Sequence, residues 1–180
     1  MRSASTIGPA RSLGFTLVEI LITIAVAAIL TAAAVPAFRS FLQNDRAMTQ
    51  STSLVLSLNT ARSEAIKQDI SGGVPVCPSI DGRTCSGTSN WAQGWIVLSS
   101  VAGSVPTVVV PPLSTGTTMS EASGANTVTF LSSGIVQAPA AFTLCDSRGA
   151  SVARYIQVTA TGRVSSSVGK NLAGNALTCP

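Results

Sequence analysis

Histidine is absent from this 180-residue chain. That removes the commonest general base and the commonest metal ligand. Charged residues make up only 10% of the sequence and aromatics 4%, with a single Tyr. Seven acidic residues, four Cys and that Tyr are all that remains for acid–base or nucleophilic work. Asp81 and Asp146 stand far apart in turn-rich stretches and read as solvated loop carboxylates. The sequence has no G-x-S-x-G elbow, no P-loop and no dinucleotide fingerprint, and Ser without His has no conventional base. No C-x-x-C pair offers a zinc site. The expectation is a chain with no catalytic residues, no metal and no cofactor, and so not an enzyme.

What little charge there is avoids one region. Residues 20–38 hold none, a run of 19. A bilayer-spanning helix needs about 20 apolar residues. Arg2 and Arg11 precede the run, so the positive-inside rule places the N-terminus in the cytoplasm and the rest of the chain beyond the membrane. Without those two arginines the chain has nine basic and seven acidic residues, a mild excess that neither demands nor excludes a nucleic-acid partner. One residue is out of place: Glu19, at the head of the apolar run "LGFTLVEILITIAVAAILTAAAVPAF". An ionised side chain in a bilayer core costs on the order of 3 kcal/mol even on lenient scales. An ordinary secretory signal cut near Ala34 would not carry Glu19, and Pro36 crowds that site. A plain membrane anchor leaves Glu19 unexplained.

Cys77, Cys85, Cys145 and Cys179 all lie beyond the apolar run. An even count in an exported domain suggests two disulfides, for which three pairings exist, with free buried thiols the alternative. Chain order favours Cys77–Cys85 and Cys145–Cys179, the second pinning the C-terminus. Each bridge would stabilise by roughly 2–4 kcal/mol.

The stretch "GFTLVEI", Gly14 to Ile20, resembles the cleavage site of type IV prepilins and of type II secretion pseudopilins. It has the short basic leader, Gly before the cut, Phe after it, and Glu four residues beyond that Phe. The resemblance implies cleavage between Gly14 and Phe15 by a prepilin peptidase and N-methylation of Phe15. It also implies that Glu19 docks on the N-terminal amine of a neighbouring subunit. An isolated buried charge typically costs several kcal/mol, so such a pairing would act as a register device.

Past Pro36, expected to kink or open the helix, the pattern turns amphipathic. Phe41, Met48, Val55, Leu58, Ala61 and Ala65 recur at steps of three, four or seven and mark an apolar face. Gly72-Gly73 is a stop signal. One helix from Phe15 to Asp69 would be roughly 80 Å long. From residue 74 the composition shifts to Val, Thr, Ser and Gly. Short β-prone runs follow: "VPVC", "GWIVLSS", "PTVVVPP", "NTVTFLSSGIVQ", "AFTLCD" and "RYIQVTATGRVSSS". The last reads as a hairpin about Thr161-Gly162, and residues 79–90 as a loop between Cys77 and Cys85. No internal repeat is evident. The organisation expected is a leader over 1–14, a membrane and filament-core half-helix over 15–38, an amphipathic half over 39–71 and a β-rich head over 72–180. The fold class is α+β, a long N-terminal helix packed on an antiparallel sheet.

"LNTARSEAIKQ", "VPVCPS" and "WAQGWIVLSS" together are similar to the GspH/FimT family of minor pilins and pseudopilins. "FTLCDSRG", "ARYIQVTATGRVSS" and the terminal "CP" look most like its FimU-type members. The match implies the type IV pilin fold and an inner-membrane precursor whose head faces the periplasm. It also implies partners: other minor pilins, the major pilin, the prepilin peptidase and an inner-membrane assembly platform. The role would be priming of pilus assembly at the tip, in adhesion and twitching motility. A secretion pseudopilin is the first alternative. A DNA-binding minor pilin for natural transformation is the second. Its G-R-x-R motif reads "GRVS" here: Arg163 matches the first Arg and Ser165 replaces the second, with Arg148, Arg154 and Lys170 as further candidate phosphate contacts. On the residues alone, ARSEAI is a good helix segment whose Ala61 and Ala65 pack on the sheet, Trp91 and Trp95 read as packing residues, and Arg163 as a solvated strand residue after a turn.

Overall fold

The computed structural model describes residues 14–69, 72–99 and 105–179. Arg2, Arg11 and most of the leader lie outside them. The chain divides into two compact units, with the boundary after Phe41.

A single helix, α1, covers Leu17–Gln68, 52 residues. Its start is written in "TLVE". The Thr16 hydroxyl accepts the Glu19 N–H at 3.2 Å as an N-cap, and Glu19 falls in the first turn, where the helix dipole favours an anion. In the N-terminal unit the side chains from Gly14 to Phe41 are all exposed. Its hydroxyls are satisfied internally: Thr23 donates to the Ile20 carbonyl, Thr31 to those of Ala27 and Ala28, and Ser40 to that of Pro36. That is what a hydrocarbon environment requires of a polar side chain. As expected, one helix spans this stretch, and α1 continues through Pro36 without a break. Pro removes one backbone donor, too little here to end a helix that enters it from the Ala-rich stretch Ala32–Ala34.

In the second unit the buried stripe of α1 is Ala47, Ser51, Leu54, Leu58, Ala61 and Ala65, at alternating steps of four and three. Phe41 and Met48 are not part of it. They are 65% and 55% exposed, and Val55 is only half-buried. The expected face holds at Leu58, Ala61 and Ala65, but before them the buried positions are Ala47, Ser51 and Leu54, and two of the inward positions on α1 carry serine. Ser51 satisfies its hydroxyl on the Met48 carbonyl. Ser57, also buried, donates to the Ser53 carbonyl and accepts the indole N–H of Trp95 at 3.0 Å.

After α1, Asp69 takes a left-handed conformation, φ 45°, and the chain turns into strands. These are β1 (Val74–Pro78), β2 (Trp95–Leu98), β3 (Pro106–Val110), β4 (Thr118–Glu121), β5 (Val128–Phe130), β6 (Ala140–Cys145), β7 (Arg154–Val158) and β8 (Val164–Val168). They form two four-stranded antiparallel sheets, ordered β3-β2-β1-β5 and β4-β6-β7-β8. The sequence had suggested one sheet and had not marked β4. One core joins both sheets to the helix: Leu54 and Leu58 of α1 with Val76, Val97 and Phe130 of the first sheet and Phe142, Ile156 and Val158 of the second. Trp91, on the 3₁₀ turn Trp91–Gln93, stands edge-on to Phe142 with ring centroids 4.8 Å apart, and its indole donates to the Ala125 carbonyl. Both tryptophans are fully buried.

Two disulfides, Cys77–Cys85 and Cys145–Cys179, fasten flaps over the outer faces of the sheets. Ile96 pairs with Cys77 and Val109 on the side of the first sheet away from the helix, yet it has no exposed surface and stands outside the main core. The loop closed by Cys77–Cys85 covers it and reaches Val109 at Gly82. Cys179 draws the C-terminal segment over the second sheet, where Leu177 packs with Ala153 and Tyr155.

Candidate functional site

Two regions carry the residues singled out from the sequence. The first is the start of α1. Gly14 and Phe15 lie just ahead of the helix in non-helical chain, and Phe15 is 77% exposed. An added Cβ at Gly14 would meet nothing within 4 Å among the described residues. Glu19 is exposed at the third helical position. Its backbone N–H is capped, and its carboxylate makes no ion pair or hydrogen bond among the described residues. Leu17, Ile20, Leu21, Ile24 and Ile29 around and beyond it are exposed too. The helix is long and apolar enough there to cross a membrane. A free carboxylate at the head of an uncovered apolar helix is a group with one strong interaction left to make.

The second region is in the head. The four basic residues considered for phosphate contact do not form one patch of free cations. Arg148 is engaged by Asp146, with Nη2 to Oδ2 at 2.7 Å and Nε to both carboxylate oxygens. This guanidinium, with a smaller opposing effect of burial, holds the Asp146 carboxyl below the usual carboxylate range. Asp146 is therefore a half-buried ion-pair partner rather than a solvated loop acid. Arg154 donates from Nη2 to the Asn44 side chain on α1, and its Nε is buried without a partner. Only Arg163 and Lys170 are exposed. Asp81 is exposed but likewise occupied. It accepts from the N–H groups of Thr84 and Arg83 and from the hydroxyls of Thr84 and Ser79, which hold it well below the usual range and shape the disulfide flap.

The ARSEAI segment does more than pack. Ala61 and Ala65 have no exposed surface, as the helix pattern implies. Between them Arg62 clasps two turns, its Nε donating to the Gly134 carbonyl at 3.0 Å and its Nη2 to the Thr161 carbonyl at 3.3 Å. The first turn follows β5 and the second joins β7 to β8, so one side chain ties the two sheets to the helix. The turns also touch directly, through Val136 N–H on the Ala160 carbonyl. At Gly162, φ 74°, an added Cβ would overlap the Gly134 carbonyl oxygen. The glycine of "GRVS" is thus required by packing, and it projects Arg163 outward.

Sequence reasoning missed Arg62 and Glu121. Glu121 is buried at the end of β4 and accepts from the N–H groups of Ser123, Ala125 and Ala141 and from the Ser123 hydroxyl. For Arg62 a signal existed, an arginine abutting the buried stripe in a chain with glycines in two later turns. For Glu121 there was none, since its donors come from main chain. Among the described residues no cluster of Cys, Asp or Glu could hold a metal ion.

Two family models match the chain. "Type II transport protein GspH" matches residues 50–162, and "Prokaryotic N-terminal methylation motif" matches residues 9–35. Among solved structures, two crystal forms of the type IV minor pilin FimU of Pseudomonas aeruginosa (strain PAO1) are similar. One is 21% identical with a TM-score of 0.51, covering 66% of this chain and 91% of that one. The other is 22% identical with a TM-score of 0.52, covering 67% and 89%. At that identity they show a shared fold, the long helix on antiparallel sheets. No curated protein matches.

Proposed function

Since the chain belongs to the GspH family of minor pilins and pseudopilins, we propose that it is made as a prepilin, processed at its N-terminus and built into a filament as a structural subunit. Carried onto its residues, a prepilin peptidase cuts between Gly14 and Phe15 on the cytoplasmic face of the inner membrane, and the new Phe15 amine is methylated. The uncovered apolar helix holds the subunit in the membrane with its head in the periplasm, then packs among the helices of its neighbours. Glu19 meets the cationic amine of an adjacent subunit there. Within an apolar bundle that pairing offsets most of the desolvation of both ions, whereas a carboxylate without its amine would cost about 3–5 kcal/mol. The pairing fixes axial register, because only one stagger brings the two groups together. We place the subunit with other minor pilins in a complex that primes assembly at the tip, above the major pilin and on an inner-membrane platform.

The observation that carries this reading is the free Glu19 carboxylate at the head of a wholly exposed apolar helix, beside Gly14–Phe15. Its test is the N-terminal sequence and mass of the protein recovered from membranes. A chain starting at Phe15 and heavier by one methyl group supports it. A chain starting near Val35 makes this an ordinary secreted domain and ends the reading. The family description favours one second reading, a pseudopilin of a type II secretion system. Co-purification with secretion components rather than with minor pilins would select it.

A further inference from the structure

Four strands end the two sheets, and three of them carry a guard against further pairing. β3 is bracketed by Pro106 and by Pro111-Pro112, which offer no backbone donors. β5 is overlaid by the chain that follows it, through the Phe130–Val136 bridge and the Gln137 N–H on the Thr129 carbonyl. β4 lies against the 3₁₀ turn at Trp91–Gln93. β8 has no such guard along its own length: its sequence is "VSSSV", no strand follows it in the sheet order, and the chain that follows bridges back only beyond it, at Lys170–Ala176.

Which of its backbone groups face outward can be worked out. The Thr159 N–H donates to the Arg163 carbonyl and the Gly169 N–H to the Ala153 carbonyl, so these pairs are hydrogen-bonded across the β7–β8 ladder. In an antiparallel pair, bonded and non-bonded positions alternate. In the register of this hairpin, Ser165 and Ser167 therefore bond inward to Gln157 and Tyr155. Val164, Ser166 and Val168 turn their N–H and C=O groups to the open edge. The same three residues share the face of Ile156 and Val158, which are fully buried, yet Val168 is 54% exposed and Ser166 is exposed. Both an unfilled backbone ladder and an uncovered strip of the core-side face end at β8. Exposed cations stand at its two ends, Arg163 before it and Lys170 after it, and neither makes an ion pair among the described residues.

We propose that β8 is a docking edge that accepts an extended segment of a different protein chain, one with acidic residues at both ends of the added strand. Backbone groups read only the extended conformation; the flanking charges select the partner. A second copy of this chain does not fit. Antiparallel pairing of two β8 strands brings Arg163 of each beside Lys170 of the other, and parallel pairing sets like residue against like. Like charges opposite each other across a ladder are destabilising.

The test is amide hydrogen exchange on the full chain in detergent micelles, with an eight-residue peptide of alternating Thr and Val closed by Glu at both ends. In the free chain, the amides of Val164, Ser166 and Val168 should exchange fast and those of Ser165 and Ser167 slowly. The Glu-ended peptide should slow the first three, and the same peptide ended by Lys should bind about tenfold more weakly. Ser166→Pro removes an outward donor only, so it should abolish the response while the rest of the exchange pattern stays. Slow exchange of the three amides in the free chain overturns the proposal, as does equal binding of both peptides. So does an unchanged response in Ser166→Pro, or no protection at millimolar peptide. Protection that appears instead on raising the protein concentration assigns the edge to a second copy, and protection by a DNA duplex assigns it to nucleic acid; either result also overturns it.

Discussion

Replacing Arg62 by Ala removes a clasp, and its cost can be estimated from the two bonds it makes. The Nε bond to the Gly134 carbonyl is partly buried and charge-assisted, a class worth about 1.5–3 kcal/mol. The Nη2 bond to the Thr161 carbonyl is exposed, so solvent competes and it adds only about 0.5 kcal/mol. Arg62→Ala should therefore destabilise the head by about 2–3.5 kcal/mol, or roughly 4–14 °C in a chain of this size. Arg62→Lys keeps the charge but cannot reach both carbonyls, and should cost about half as much. The Gly134 carbonyl is also what an alanine at Gly162 would strike. Gly162→Ala should then be costly alone and cheaper once Arg62 has been removed, because the two turns are no longer drawn together. The coupling expected between the two changes is at least about 1 kcal/mol. Urea unfolding of the single and double variants, followed by Trp91 and Trp95 fluorescence, measures all of this. An Arg62→Ala protein within about 0.5 kcal/mol of the parent, or strictly additive variants, would refute the reasoning.

Burial would by itself raise the Glu121 carboxyl, but the Ser123 hydroxyl and the N–H groups of Ala125, Ala141 and Ser123 outweigh it and hold the group below its ordinary value of 4.5. A depressed folded-state value means that the stabilisation is complete above about pH 4.5 and drains away as the pH falls through the folded value. Urea midpoints between pH 3 and 6 should show that acid loss in the parent, and Glu121→Gln should show a flatter profile from a lower starting stability. The two disulfides should differ, since the entropy removed from the unfolded chain grows with loop length. With separations of 8 and 34 residues, replacing both cysteines by Ser should cost about 2.5 kcal/mol for Cys77–Cys85 and about 4 kcal/mol for Cys145–Cys179. Loss of the shorter bridge should also loosen the flap over Ile96, visible as faster amide exchange in β2 with the core unchanged.

The prepilin-like head of α1, the helix stop and the hairpin about Gly162 were all legible in the sequence, because each depends on contacts a few residues apart. The grouping of strands was not. Period-two patterning shows that a strand has two faces but not which strand lies beside it, so two sheets were read as one. β4, "TMSE", is flanked by glycine turns but has no β-branched residues in alternation, Thr118 being its only one. The inward face of α1 was legible at Leu58, Ala61 and Ala65 but misplaced before them, where Ser51 and, alongside Leu58, Ser57 occupy core positions. A serine can do so when its hydroxyl is spent on its own helix, and Ser57 then offers its oxygen to Trp95. Arg148 and Arg154 looked like members of a basic patch, yet Asp146, two residues from Arg148 in the chain, and Asn44, which folding brings to Arg154, already engage them. The Glu19 anomaly was visible from composition alone, because its strangeness is local: one carboxylate against nineteen uncharged residues.

Glu19 is also where the account is most exposed. Glu19→Ala leaves the Gly14–Phe15 bond intact, so the variant should be cut and methylated as the parent is. Without the carboxylate, the amine of the neighbouring subunit loses its partner inside the helix bundle, a loss of about 3–5 kcal/mol per contact. The decisive measurement is the fraction of processed chain recovered in sheared filaments, parent against Glu19→Ala. The account predicts processed variant protein that stays in the membrane, with its filament fraction down at least tenfold. Normal incorporation of the Glu19→Ala chain would contradict it.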